Sequence, residues 1–381
     1  MEPWFDIQTN LEKTIREVTA EMNIPVADFD ASTRLADPRF GDFQVNGALS
    51  YAKKKQQNPR EVATKIVERL QADNVLNTSF EISIAGPGFI NFTLKPSFLV
   101  NWLETYASEQ LLKTNASALY KDKIFVVDFS SPNAAKQMHV GHIRSIVIGE
   151  AISRLLAFCG ANVIKDNHIG DWGTQYGLII YAYKHFLDSK ALEADPSEEL
   201  ERLYKKASAI TKEDPEALDE ARNELVQLQD GEPESIALWE KVNQLSLESI
   251  EEIYQKFDIR FDHYLGESFY RDKVDKVYQE LTDLKIAEES KGALVVFHPE
   301  HSRFATQPFI IRKSDGASNY ASTDLATMIY RAEHFKADHI IVITDSRQSD
   351  HFEQLQLTSQ KWFQATDRKL PTFIMSPLEQ S

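Results

Sequence analysis

The stretch IFVVDFSSPNAAKQMHVGH, residues 124–142, decides the fold of most of the chain. It opens with a short apolar run at 124–129, which is typical of a strand buried on both faces of a parallel sheet. A polar loop follows, and apolar spacing then predicts a helix over 142–158 that ends before Gly160. Residues 162–165 predict a second strand. This order is a βαβ unit, in which ligands bind at the carboxyl ends of the strands.

The same α/β pattern continues towards the end of the sequence. Residues 324–335 predict a helix, and HIIVITD at 339–345 predicts another buried strand. Before them lies a long, charged segment at about 184–300, which we expect to be a mostly helical insertion. We therefore assign residues 120–381 to an α/β domain with a Rossmann-like parallel sheet.

Residues 1–115 predict a separate, small α+β domain. Apolar residues recur at helical spacing over 11–22 and again over 59–70, where a proline suits the first helical turn. The segment FEISIAGPGFINFTL, residues 80–94, alternates apolar and polar residues on both sides of Gly-Pro-Gly. This pattern predicts two paired strands around a turn.

Composition limits the class of protein. A chain of 381 residues exceeds the roughly 250–300 residues at which a single core stops growing, so at least two domains are expected. Hydrophobic residues make up 42% and charged residues 26%, which excludes a wholly disordered chain. Cys159 is the lone cysteine and cannot form an internal disulfide. With no long apolar run and no secretory signal, we expect a cytoplasmic protein without a membrane partner.

The net charge of −16 is concentrated in one segment. Residues 188–240 contain 16 acidic and 6 basic side chains, so this segment accounts for −10 of the total. Its most economical interpretation is a solvated face of helices. The global charge therefore does not exclude a nucleic-acid partner.

The polar loop places two histidines around a glycine at the start of the predicted helix. His139 and His142 are three residues apart, so both imidazoles are expected on one face, and Gly141 permits close backbone approach. A helix N-terminus also favours anions. A lone histidine is usually an ordinary hydrogen-bonding side chain, but this pairing at a strand-to-helix junction predicts a phosphate site.

Several motifs together resemble a known family, the arginyl-tRNA synthetases of class I. The H-x-G-H pattern is that of class I aminoacyl-tRNA synthetases and related nucleotidyltransferases. The segments that carry the resemblance are SSPNAAKQMHVGHIRS, NHIGDWGTQYG, YASTDLA and DSRQSDH, with FQVNGAL and IAGPGFINF in the N-terminal domain. The second position of the pattern is valine here, whereas the class most often has isoleucine. The resemblance identifies 1–115 as the family's additional tRNA-binding domain and 120–381 as part of its catalytic domain.

The resemblance implies a ligase that activates L-arginine with ATP and transfers it to the terminal ribose of tRNA(Arg). Magnesium would accompany ATP, and the protein would supply positioning and charge neutralisation at the phosphates. By resemblance, His139 and His142 stabilise the transition state, Lys136 reaches phosphate oxygens, and Gly141 leaves room for the adenine ring. A lysine on a polar loop is also commonly just solvated.

Four residues are expected to bind the amino acid. Recognition of a guanidinium requires a carboxylate and polar acceptors around it. By resemblance, Tyr320, Asp324 and Gln348 form the arginine pocket and Asn133 binds the α-amino end. Tyr320 and Asp324 are four residues apart and would share one side of a helix.

Asp324 has an ordinary alternative interpretation as an acid in a helix first turn, favoured by the helix dipole. In that case another carboxylate must fill the pocket. Asp128 and Asp345, each at the carboxyl end of a predicted strand, are next in line.

The segment NHIGDWGTQYG predicts the floor of the site. By resemblance, His168, Asp171, Trp172 and Gln175 line it. Trp172 could equally be a core residue, because large aromatic side chains are commonly buried for packing.

The segment FQVNGAL predicts a tRNA contact in the N-terminal domain. By resemblance, Phe43 stacks on an exposed base, and Gln44 and Asn46 present amide edges to it. The alternative is turn chemistry before a helix, for which asparagine followed by glycine is well suited.

Two rival functions remain at the level of sequence. One is another nucleotidyltransferase with the H-x-G-H loop, and the other is a non-catalytic tRNA-binding relative. The family continues with a second ATP signature and a helical anticodon-binding domain, so we expect this sequence, ending PTFIMSPLEQS, to be a truncated part. Activity of these 381 residues alone is an open question. We expect a monomer.

Overall fold

The computed structural model describes residues 4–314 and 319–378. The chain divides into two compact units, Met1–Leu119 and Tyr120–Ser381. Within the described residues, no helix is long and apolar enough to cross a membrane.

The first unit is a four-stranded antiparallel sheet, in the order β1-β2-β4-β3, packed with helices. The strands are β1 Thr33–Leu35, β2 Phe43–Val45, β3 Phe80–Ala85 and β4 Phe89–Leu94. The helices are α1 Ile7–Glu21, α2 Gly47–Lys55, α3 Pro59–Ala72, α4 Asn74–Ser79, α5 Pro96–Tyr106 and α6 Glu109–Ala116. Both predicted helices and the predicted hairpin are confirmed, and the structure adds β1, β2 and the shorter helices.

Local chemistry explains these elements. The α1 helix begins after Asp6, whose carboxylate accepts from the Thr9 amide, and its apolar stripe is buried. In the hairpin, Gly86 and Gly88 have φ of 52° and 149°, which suit glycine. A Cβ at Gly88 would also lie 2.9 Å from the Pro59 carbonyl oxygen. The glycines therefore make the turn between the strands, as predicted.

The second unit contains a parallel sheet in the order β11-β10-β5-β6 and a smaller antiparallel sheet, β7-β8-β9. The strands are β5 Ile124–Asp128, β6 Asn162–Asp166, β7 Ala287–Ser290, β8 Ala293–Val296, β9 Phe309–Arg312, β10 His339–Asp345 and β11 Thr372–Leu378. The helices are α7 Val140–Phe158, α8 Gln175–Phe186, α9 Ser189–Ala194, α10 Pro196–Glu213, α11 Pro215–Gln229, α12 Pro233–Lys256, α13 Glu267–Tyr270, α14 Val274–Asp283, α15 Tyr320–Glu333 and α16 Ser349–Ala365. Short 3-10 turns follow α13 and precede α16.

Both faces of the parallel sheet are covered, as its continuous apolar strands predict. In β5, Val127 packs in a core with Ile146 of α7 and Ile250 of α12, whereas Val126 faces a core with Leu325 of α15. The register pairs Asp128 with Asp166, so the carboxyl ends of β5 and β6 are level. The predicted α/β fold class is therefore confirmed.

The predicted insertion differs from the structure at its end and in its packing. Its last part forms the β7–β8 hairpin, turning at Lys291 and Gly292 with φ of 51° and 81°. The apolar run of β8 pairs with β9 instead of continuing the helices. Helix α12 is also part of the sheet domain, since Ile250 and Tyr254 belong to the same core as Val127.

Candidate active site

A cavity of about 760 Å³ opens where the parallel strands end, which is where ligands bind in this type of sheet. It combines residues of the β5–α7 loop, α15 and the segment after β10. The predicted site residues that line it are Asn133, His139, Gly141, His142, His168, Tyr320, Asp324 and Gln348.

The loop between β5 and α7 has an unusual backbone conformation. Ser130, Ser131 and Ala135 have φ of 74°, 44° and 60°, which costs of order 1–3 kcal/mol for each such residue. Side chains satisfy the amides that this conformation turns inwards: Ser145 Oγ accepts from Ser130 N and Asn167 Oδ1 from Ser131 N, both at 3.1 Å. The loop is therefore held in place by its surroundings.

The inserted helix α12 supplies part of that support. Its Tyr254 hydroxyl lies 2.7 Å from Ser130 Oγ and accepts from Asn167 Nδ2 at 2.8 Å. About two turns earlier, Ser246 Oγ accepts from the Ala135 amide at 2.9 Å. The predicted insertion, residues 184–300, therefore includes a helix that supports the loop carrying the histidines.

His139 and His142 stack with ring centroids 4.0 Å apart, which confirms that they share one face. His139 Nδ1 accepts from the Gly141 amide at 3.1 Å, and His142 Nδ1 accepts from the His139 amide at 3.2 Å. Because both Nδ1 atoms are acceptors, the Nε2 atoms carry the protons and are hydrogen-bond donors. A Cβ at Gly141 would lie 2.9 Å from the His139 ring, so glycine is required for this packing.

One histidine of the pair is uncharged at neutral pH. Burial, and then the neighbouring His139, lower the pKa of His142 to about 4. His142 therefore acts at neutral pH as an uncharged donor. Arg144 and Arg347 also line the cavity and bring positive charge to the same opening.

Helix α15 presents one face to the cavity. Tyr320, Asp324, Thr327 and Arg331 recur at intervals of three and four residues and all line it. Tyr320 is 69% exposed. The Asp324 carboxylate lies 2.5 Å from His351 Nε2, and this histidine also lines the cavity. The helical spacing was sufficient to predict that Tyr320 and Asp324 lie together.

Glu267 is a cavity residue that the sequence did not reveal. It is the first residue of α13, half-buried, and no ion pair joins it to any residue in 4–314 or 319–378. Burial, then Asp324 and Asp171, raise its pKa to about 8. In the sequence, an acid at a helix start has no feature that separates it from an ordinary dipole-favoured residue.

The two alternative pocket carboxylates are already paired. Asp128 accepts from the buried Arg331 at 2.7 Å, and Asp166 accepts from the same guanidinium at 2.8 Å. Asp345 forms an ion pair with Arg347 at 2.8 Å. These ion pairs favour Asp324 over Asp128 and Asp345, because each of these two carboxylates already pairs with an arginine of the protein. The order of the three carboxylates as arginine ligands stays a prediction.

Lys136 lies away from the cavity lining. Its ammonium group lies 5.0 Å from the centroid of the Tyr204 ring on α10, a cation–π contact. The role of Lys136 at phosphate oxygens stays a prediction. The arginines that line the cavity are Arg144, Arg331 and Arg347.

Three residues expected at the floor lie behind the cavity instead. The Asp171 carboxylate accepts from the Ser268 hydroxyl at 2.6 Å. Trp172 packs edge-on against Trp239 with centroids 5.6 Å apart, which favours its alternative interpretation as a packing residue. The Gln175 amide donates to the Trp172 carbonyl at 3.4 Å at the start of α8. Of the NHIGDWGTQYG residues predicted to line the site, only His168 faces the cavity.

The predicted tRNA residues lie in and after β2. Phe43 is half-buried against the core of the first unit, and the Gln44 amide donates to Asn91 Oδ1 at 2.8 Å. Asn46 precedes α2 without capping it, and its Oδ1 is buried with no hydrogen bond among the described residues. A turn role does not account for this side chain, so base binding stays a prediction.

No group of three or more histidine, cysteine or acidic side chains in the described ranges is arranged to hold a metal ion.

Comparison with known proteins identifies the family. Residues 107–369 match the family described as "tRNA synthetases class I (R), catalytic domain". The chain belongs to the class I tRNA synthetases. Residues 6–94 match the description "Arginyl tRNA synthetase N terminal domain". The predicted resemblance to this synthetase family is therefore confirmed.

Curated relatives are named arginine–tRNA ligase. The protein of Fusobacterium nucleatum is 41% identical over 84% of this chain, and that of Alteromonas mediterranea is 38% identical over 94%. The chain spans only 55% and 61% of the length of these two synthetases.

Solved structures of the same family have the same fold. The arginyl-tRNA synthetase of Plasmodium falciparum is 25% identical with a TM-score of 0.69, covering 98% of this chain and 65% of its own. The Thermus thermophilus arginyl-tRNA synthetase is 21% identical with a TM-score of 0.63, covering 97% and 66%, and supports the fold alone.

Proposed function

We propose that this chain forms the amino-acid-activating part of an arginine–tRNA ligase. The observation that carries the proposal is that one cavity joins a pair of Nε2–H donors, His139 and His142, to two neighbouring carboxylates, Asp324 and Glu267. The first pair suits phosphate oxygens and the second suits a guanidinium. A ligand that contacts both ends must bring a phosphate close to a cationic amino acid.

Arginine is the amino acid that the carboxylate end fits. The guanidinium presents donors in a planar fork that pairs with carboxylates, and Asp324 and Glu267 supply acceptors in the cavity. Binding a cation would also lower the raised pKa of Glu267 and return it to the ionised form. Tyr320, Gln348 and Asn133 line the same cavity. We assign Tyr320 and Gln348 to the side chain of arginine and Asn133 to its α-amino group.

Activation is an in-line displacement. A carboxylate oxygen of arginine attacks the α-phosphate of ATP, the bond to the β-phosphate oxygen breaks, and pyrophosphate leaves with the electron pair. His139 and His142 donate to the phosphate oxygens on which negative charge grows, and Gly141 keeps the backbone beside them clear. Mg²⁺ enters with ATP as its counterion. Neither histidine needs to move a proton in this step.

Transfer to tRNA completes the proposed reaction. A hydroxyl of the terminal ribose of tRNA(Arg) attacks the carbonyl of arginyl-adenylate, and AMP leaves. We assign Phe43, Gln44 and Asn46 of the first unit to tRNA binding, through stacking and amide contacts. The proposed setting is the cytoplasm, and the proposed active form is a monomer.

The test is ATP–pyrophosphate exchange with each amino acid, with and without tRNA, alongside calorimetry of arginine binding. Among the amino acids, we expect only arginine to bind and to support exchange. Exchange with another amino acid would overturn the specificity. Binding of tRNA without any arginine binding would favour a non-catalytic relative, and nucleotide transfer to a different small molecule would favour another H-x-G-H enzyme.

A further inference from the structure

The Asp171 carboxylate contacts both residues that flank Glu267 and accepts hydrogen bonds from one of them. Ser268 donates to it twice, from its amide to Oδ1 at 2.8 Å and from its hydroxyl to Oδ2 at 2.6 Å. On the other side, a Cβ at Gly266 would lie 2.5 Å from the same carboxylate, so glycine is needed for the close approach. The Glu267 amide itself donates to the Ile169 carbonyl at 3.0 Å. Asp171 therefore sits directly against the backbone that carries Glu267.

Asp171 is also tied to the opposite end of the cavity. Its neighbour Gly170 pairs with Asn133 as in a parallel sheet. A Cβ at Gly170 would lie 2.2 Å from Asn133 Oδ1, so these two residues are in close contact. From behind, the Trp239 indole donates to the Asp171 carbonyl at 2.8 Å. One continuous path thus joins Asn133, at the α-amino end, to Glu267, at the guanidinium end.

The chemistry of Asp171 suits a positioning role. Both of its carboxylate oxygens accept from Ser268, and no ion pair joins it to a residue of the described ranges. Burial raises the pKa of the Asp171 carboxyl, and the two hydrogen bonds from Ser268 oppose that shift because they stabilise the ionised form. The Asp171 side chain is not part of the cavity lining, and its two carboxylate oxygens are directed to Ser268.

We propose that Asp171 is a positioning residue for arginine selectivity, which clamps Ser268 and thereby holds the Glu267 carboxylate at the guanidinium end of the cavity. This inference rests on the proposed function. It predicts that loss of the hydrogen bonds between Asp171 and Ser268 weakens the binding of a ligand that pairs with the Glu267 carboxylate more than the binding of an uncharged ligand. L-Citrulline, whose ureido side chain has a similar shape and no charge, is the matched ligand.

The first experiment compares ligand binding by calorimetry in the whole chain. Asp171→Asn is expected to weaken arginine binding by about 10- to 100-fold, the range for a lost hydrogen bond to a charged group. Binding of citrulline and ATP should change by less than about threefold, since neither depends on the Glu267 charge. The control is Asp272→Asn, the same change at a carboxylate that is 82% exposed on the same segment, and it should bind arginine normally.

The second experiment asks whether Asp171 acts through Glu267. In the double variant Asp171→Asn/Glu267→Gln, arginine affinity should match that of Glu267→Gln alone, because no carboxylate remains to be positioned. If the two substitutions lower arginine affinity by factors that multiply in the double variant, the positioning role is overturned. Equal losses of affinity for arginine and citrulline in Asp171→Asn would overturn it as well. If Asp171→Asn does not fold, Ser268→Ala removes one of the same hydrogen bonds and must show the same selectivity change. Failure of the wild-type chain to bind arginine would instead overturn the proposed function.

Discussion

Arg331 donates to Asp166 across the carboxyl edge of the parallel sheet, with Nη2 and Oδ2 2.8 Å apart. Arg331 is 3% exposed and Asp166 fully buried, and the same guanidinium also pairs with Asp128. The ends of β5 and β6 thus place two carboxylates side by side beneath the cavity, and one guanidinium from α15 bridges them. Without it, two unpaired negative charges would lie beneath a site proposed to bind ATP.

Replacing Arg331 should therefore destabilise the fold. Arg331→Met leaves Asp128 and Asp166 buried without a cation, and breaking such a pair typically costs about 3–5 kcal/mol. Urea titration measures the loss in the free energy of unfolding. The control, Arg347→Met, breaks the ion pair with Asp345 from an arginine whose side chain is 74% exposed, and should change the free energy of unfolding much less. Equal costs would contradict the account.

The histidine pair should determine rate and leave stability nearly unchanged. His139→Asn or His142→Asn keeps a polar side chain but weakens charge stabilisation at the α-phosphate. Removal of one such donor typically lowers the rate by about 10²- to 10³-fold, or roughly 3–4 kcal/mol. Single-turnover adenylate formation and a thermal melt of the same samples test this. Wild-type rates in either variant would mean that the stacked rings are structural.

Asp324 should determine arginine binding. Asp324→Asn preserves shape and removes the charge, and loss of a charge-assisted partner in a partly desolvated site costs about 3–5 kcal/mol. Arginine affinity by calorimetry should fall by roughly two to three orders of magnitude on that scale, with ATP affinity near wild type. Tyr320→Phe should cost less, since it deletes one neutral partner. If Asp324→Asn binds arginine normally, the carboxylate serves only its contact with His351, and Glu267 is the remaining candidate.

Phe43 should affect tRNA and neither small substrate. Phe43→Ala removes a stacking plane worth roughly 1–3 kcal/mol per base, so the Michaelis constant for tRNA should rise. The matched control is Phe40→Ala. Phe40 lies in the same unit, is 46% exposed and has no predicted contact with tRNA. Because Phe43 also packs on the core, a thermal melt must accompany the kinetics. Weaker binding of arginine, ATP and tRNA alike would indicate lost packing.

Stability should fall in mild acid because of His298. This side chain is fully buried, its Nε2 lies 3.1 Å from Thr358 Oγ1, and burial followed by the nearby Lys361 lowers its pKa to about 4. The unfolded chain, with a pKa near 6.5, binds the proton first, so the contribution is complete above about pH 6.5 and is lost as pH falls towards 4. This shift in pKa can lower the free energy of unfolding by at most about 3 kcal/mol. Urea titrations at pH 7 and pH 5 should show a smaller difference for His298→Gln than for wild type, and identical differences would exclude His298 as the cause.

The features that could be predicted are those that local spacing determines. The apolar run of β5, the helix ending before Gly160 and the Gly86–Gly88 turn depend on neighbours within a few residues. The same holds for the stacked histidines, three residues apart on one helix start. Periodicity and turn chemistry act at this range. The sequence alone was therefore sufficient to predict the fold class and the pairing of His139 with His142.

Tertiary structure decided which side chains are available for a ligand. Asp128 and Asp345 were the next candidates after Asp324 in the sequence, but folding pairs Asp128 with an arginine 203 residues away and brings Glu267 to the cavity. Asp171 faces Ser268 across 97 residues for the same reason. The free energy of a buried charge depends on its partner, and partners so distant along the chain leave no local pattern. The sequence therefore determined the elements and the histidine pair, whereas only the folded chain determined which carboxylates of the cavity already pair with an arginine of the protein.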